Sequence, residues 1–129
     1  MRRLGSIIAA CALSTAAVLA PPQAFAHHSF AAFDRTKQIK LAGTVRTFEW
    51  TNPHSWVQLV VVNAAGVQEE WAIEALSPNV LGRQGWHRST LKPGDKVSVV
   101  IYPLREGKTG GNLISVTLPD GRVMGGGAG

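Results

Sequence analysis

Four histidines, at positions 27, 28, 54 and 87, are the side chains of this 129-residue chain best suited to holding a metal. The first two gain their interest from what precedes them. Arg2 and Arg3 lead into an apolar run from Leu4 to Ala20, followed by Pro21-Pro22-Gln23 and then Ala24-Phe25-Ala26. A basic start, a short apolar stretch and small residues three back from and directly at a cut describe a secretory signal over residues 1–26. Export then makes His27 the first residue of the mature protein. Its α-amine and one ring nitrogen can grip a single ion in a histidine brace. His28 adds a nitrogen nearby, and His54 or His87 completes the set. Tetragonal nitrogen ligation suits copper(II), and an amine with an ordinary pKa of about 8 gives up its proton near neutral pH once a metal competes for it. The plainer alternative makes His27 and His28 the frayed end of the mature chain, His54 a turn residue and His87 a surface residue. No two of these histidines stand four apart, so the metal signature of a single helix face is missing.

Trp50, Asn52, His54 and Trp56 form a second candidate site, because a polar turn between two aromatic residues can make one rim of a barrel. Aromatic rings with a few polar groups suit a small apolar ligand or a partner peptide. Asn-Pro is also ordinary turn chemistry, and Trp50, Trp56, Trp71 and Trp86 can equally supply the core of a small domain. Ser55 beside His54 does not make a nucleophile and base, since neighbours on a strand point to opposite faces. Glu70 and Glu74 share one strand face and read as solvated acids. With no glycine-framed serine elbow and no phosphate-cradling loop, a hydrolase is not expected. A copper oxygenase built on the brace is the one enzymatic alternative.

Composition narrows the rest. Cys11 is the single cysteine and lies inside the signal, too early for a lipoprotein site, so the mature chain has neither disulfide nor thiolate. The formal charge of +5 falls by two when Arg2 and Arg3 leave, and the remaining basic residues are scattered from Arg35 to Arg122. That distribution argues against nucleic acid as a partner. The alanine-rich run to Ala20, broken by Ser14 and Thr15, falls short of the roughly 20 strongly apolar residues of a spanning helix, so no stable membrane anchor is expected after cleavage.

Beyond the signal, the pattern predicts one all-β domain. Lys37–Trp50 reads as a long strand with a bulge or bend at Gly43, ended by Thr51-Asn52-Pro53. Ser55–Asn63 and Val67–Ala75 follow as strands around Ala64-Ala65-Gly66. Ser77-Pro78 starts a short helix that Gly85 ends. Lys96–Tyr102 and Asn112–Leu118 make a last hairpin around Gly107–Gly111, with a short edge piece ending at Met124. This order predicts an OB-like five-stranded barrel with one short helix over residues 27–124, and a flexible glycine-rich tail at 125–129.

Ala26-His27-His28-Ser29-Phe30-Ala31-Ala32-Phe33-Asp34, Gly43-Thr44-Val45 and Phe48-Glu49-Trp50-Thr51-Asn52-Pro53-His54-Ser55-Trp56 together resemble the DUF6152 family of small exported bacterial proteins. Glu74-Ala75-Leu76-Ser77-Pro78, Gly85-Trp86, Lys92-Pro93-Gly94-Asp95 and Leu118-Pro119-Asp120-Gly121-Arg122 agree with it. The resemblance implies export and one compact β domain, and it supplies no reaction. The sequence thus points to a periplasmic binding protein that holds copper as carrier, buffer or accessory, with an envelope protein or a metal-site client as partner. A metal-independent interaction or ligand-binding module is the alternative.

Overall fold

Alternation of β-branched and polar residues from Ile39 onward gives each strand one face to bury. The computed structural model describes residues 30–126. A 3-10 turn at Phe30–Ala32 precedes strands β1 (Ile39–Glu49), β2 (Trp56–Val62) and β3 (Gln68–Glu74). Helix α1 (Pro78–Arg83) then leads to β4 (Lys96–Pro103), β5 (Gly110–Thr117) and β6 (Val123–Gly125). The sheet order is β3-β2-β1-β4-β5-β6, and a parallel pairing of β3 with β5 closes the first five strands into a barrel. This is the OB-type architecture expected from the element order.

β1 has to serve two partners. Ile39–Thr44 pairs with β4 and Thr44–Glu49 with β2, and the strand bends between these roles through a register shift at Val45/Thr47. The bulge therefore falls at Arg46 and not at Gly43, where the sequence suggested it. Gly43 does a different job. A Cβ there would stand 2.5 Å from the Val60 carbonyl oxygen and 2.9 Å from Leu59 Cγ, so the absent side chain lets β2 come close. A second shift, between Val100 and Ile101 on β4, leaves Ile114 of β5 as the extra residue.

The barrel is filled by inward residues from every long strand, among them Val45, Val57, Leu59, Ile73, Val99, Ile101, Leu113 and Val116. Leu81 of α1, with Trp86 and Leu91 beyond it, joins the same cluster. Proline after Ser77 sets the helix start, and Gly85 at φ +88° follows its end. Of the four tryptophans only Trp86 is fully buried. Trp50 and Trp71 pack partly exposed against the core, and Trp56 faces outward.

Gly125 and Gly126 are more ordered than the glycine content of their segment suggested. Gly125 belongs to β6, and the Gly126 N–H donates to the Ile114 carbonyl at 2.7 Å. The Trp86 indole N–H donates to the Gly125 carbonyl at 2.8 Å. Backbone pairing and an indole bond hold these two residues, whose own propensity is poor; the rest of the expected tail, 127–129, lies outside the described residues. Among the described residues no helix is long and apolar enough to cross a membrane.

Candidate functional site

The turn between β1 and β2 aims His54 at the outer wall of the barrel. Thr51 Oγ1 donates to the His54 carbonyl at 2.9 Å, and the Asn52–Pro53 peptide is cis. Alternation along β2 then sends Ser55 and Val57 inward and Trp56 outward. Ser55 is fully buried, so it and His54 do lie on opposite sides and make no catalytic pair. Its backbone is bonded at both ends, N–H to Leu76 and carbonyl to Ala75, while its hydroxyl finds no hydrogen-bond partner among the described residues.

Directly across from Trp56 on β3 stands Glu74. The sequence placed it with Glu70 on a wet strand face, and the structure corrects this. Glu70 is exposed and paired with Arg46 at 2.7 Å, whereas the Glu74 side chain is only 5% exposed and bonded to Nδ1 of His54. The reason is the closure of the barrel. β5 pairs alongside β3 at Ala72–Glu74, and Phe33, Leu104 and the β4–β5 loop come to the same cavity wall as Glu74. With Glu74 ionised the carboxylate only accepts hydrogen bonds, so the donor is His54 Nδ1, and a neutral imidazole in that tautomer carries its lone pair on Nε2. The same pairing of a carboxylate behind a histidine orients many metal-binding imidazoles.

A cavity of about 650 Å3 opens beside this pair, with Phe33, Trp56, Ala72, Glu74 and Leu104 on its walls. Phe33 is held there by a β-bridge to Leu104, reinforced by the Asp34 N–H to the Pro103 carbonyl at 2.8 Å and the Arg105 N–H to the Ala32 carbonyl at 3.0 Å. Arg105 Nε also donates to the Ala31 carbonyl. The Thr36 hydroxyl and then the Thr36 N–H, with Lys37 behind them, hold the Asp34 carboxyl below its ordinary pKa. These contacts fasten the start of the domain along the β4–β5 loop.

The other candidates disperse. Trp50 packs edge-on against Phe48, which also meets Trp86, so it belongs to the wall near α1 and not to the cavity. Asn52 is exposed in the turn. His87 is exposed after α1, where its Nδ1 lies 3.3 Å from Thr90 Oγ1 and its N–H donates to the same hydroxyl. His27 and His28, with the whole of the expected signal, lie outside the described residues. Among the described residues no three metal-ligating side chains gather. Phe33, Glu74 and Leu104 are the cavity residues that sequence reasoning missed. The paired glycines Gly110-Gly111 were the available hint, since a Cβ on Gly110 would collide with Leu104 Cδ1 at 2.7 Å.

A family model described as a family of unknown function, DUF6152, matches residues 15–113. The chain belongs to the DUF6152 family. No curated protein and no solved structure matches it. The matched span of this DUF6152 protein includes Phe33, His54, Trp56, Glu74 and Leu104, so the cavity and the imidazole–carboxylate pair both lie within the part that defines the family.

Proposed function

We propose that this DUF6152 protein is an exported, periplasmic binding module that holds copper between its processed amino terminus and His54, as a carrier, buffer or accessory of an envelope metalloprotein. The observation that carries the reading is the bond from Nδ1 of His54 to the nearly buried Glu74 carboxylate, which fixes the ring and leaves Nε2 as the nitrogen available to a metal. The position of Phe33 supports it. Phe33 lines the same cavity as Glu74, and the six residues back to His27 reach at most about 20 Å when extended. In the proposal the His27 amine and imidazole supply two nitrogens, His54 a third, and His28 stands next to the brace. His87, bonded within its own turn, is left aside. The role is binding without turnover.

Protein beginning at His27 is expected to bind copper(II) with a nitrogen-rich spectroscopic signature, and the same protein with one extra amino-terminal glycine far more weakly. His54→Ala should remove one nitrogen ligand from that signature. Equal binding by the His27 and glycine-extended forms would end the brace, and an unchanged signature in H54A would end the role of His54. Intact mass of the exported product tests the cut itself, which must fall before His27.

The cavity favours a second reading, a metal-independent ligand-binding module, because its apolar walls offer more surface than a single ion uses.

A further inference from the structure

We propose that the cavity beside His54 binds a small organic cation, a primary ammonium carried on an aromatic or branched aliphatic body. This goes beyond the copper reading, since it needs neither a processed terminus nor a metal. Three features of the walls select the class. Phe33, Trp56, Ala72 and Leu104 present an apolar lining, which asks for an apolar ligand body. Glu74 sets a carboxylate into that lining, 4% exposed, where charge is poorly screened, and a neutral His54 bonded to it leaves that negative charge in place. An anion brought next to it is repelled, and a neutral apolar molecule gains nothing from it, whereas an ammonium is attracted. Trp56 and Phe33 add two aromatic rings to the lining, the side-chain type that stabilises a cation.

The positive groups around the mouth do not reverse this preference. Among the described residues Lys108 is the one cationic side chain on the lining, and its ammonium is exposed and bound to Glu106 at 2.9 Å. Arg105 is directed to the Ala31 carbonyl and toward Asp34. Room for the ligand comes from Gly107, Gly110 and Gly111, which contribute backbone and no side chain to the lining. At about 650 Å3 the space suits a molecule of drug-fragment size.

The test uses the chain from His27 onward in the presence of a chelator, titrated with phenethylamine, 2-phenylethanol and phenylacetate, which share a ring and differ in charge. Binding is followed by tryptophan fluorescence and by the NMR shift of the Trp56 indole N–H. Phenethylamine should saturate and shift Trp56, at least about tenfold more tightly than the alcohol, with phenylacetate the weakest of the three. Glu74→Gln should erase the advantage of the amine over the alcohol while leaving the alcohol unchanged. The alcohol binding as tightly as the amine, the acid binding best, or a saturating amine that leaves Trp56 unmoved would each overturn the proposal. The three-ligand comparison on the unmutated chain decides the matter even where E74Q fails to fold, and the chelator keeps its outcome separate from that of the copper titration.

Discussion

Replacing His54 by alanine should destabilise the fold through Glu74. The imidazole sits 34% exposed and donates to a carboxylate that is 5% exposed, so the variant leaves that carboxylate buried with its nitrogen partner gone. A hydrogen bond to a charged group contributes about 1.5–3 kcal/mol. Water entering the space left by a partly exposed ring recovers some of this, which sets the expected loss at about 2 kcal/mol. For a domain of about 60–100 residues that corresponds to a drop in Tm of about 8–16 °C. Urea unfolding followed by tryptophan fluorescence, with thermal unfolding by circular dichroism, measures it on the metal-free protein. The decisive comparison is the double variant. Removing both polar partners of a buried pair costs far less than removing one, so adding Glu74→Met to H54A should restore stability. H54A falling within about 0.5 kcal/mol of the parent, or the double variant being less stable than H54A alone, would refute the reasoning.

Gly43→Ala should cost about 1–3 kcal/mol in urea unfolding, because its methyl meets the Val60 carbonyl, which the β1–β2 pairing prevents from yielding. Ser55→Ala should be neutral or stabilising by up to about 1 kcal/mol, since it deletes a fully buried hydroxyl with no hydrogen-bond partner among the described residues. Acid titration should show Asp34 and Asp120 together. Thr36 lowers the pKa of the first, and the Arg122 N–H and then its guanidinium lower that of the second. Their contribution is full above the ordinary aspartate value of about 4 and is lost as the pH falls through the lower folded values. D34N and D120N should each flatten the fall in stability below about pH 4, and an unchanged acid limb in both would show that these loops unfold before the barrel.

The local grammar of the fold was legible. Ser77-Pro78 and Gly85 bracket α1, Ala64-Ala65-Gly66 turns β2 into β3, and the apolar run from Trp56 to Val62 is a strand. What sequence periodicity could not convey was the company each strand keeps. Glu74 alternates with Ile73 and Ala75 as a solvent-facing residue should, yet β5 pairs beside it, His54 bonds to it, and Phe33 and Leu104 come from distant parts of the chain to the same cavity wall. His54 and Trp56 were singled out, but their grouping with Trp50 and Asn52 rested on nearness along the chain. In three dimensions Trp50 turns to Phe48, while His54 turns to a residue twenty positions downstream. Gly125 was misjudged for the same reason. Its order comes from Trp86 and β5, not from its own sequence.

The bond from Trp86 to Gly125 has a practical reading for anyone who trims the chain to the boundaries of its family match. A fragment ending at residue 113 is severed midway along β5 and forfeits Val116 and Leu118 along with all of β6. Leu113, which nearly touches Gly126 and is wholly enclosed in the intact protein, would become a terminal residue with its lid removed. Such a piece should be recovered as aggregate, while one carried through Gly126 should stay in solution.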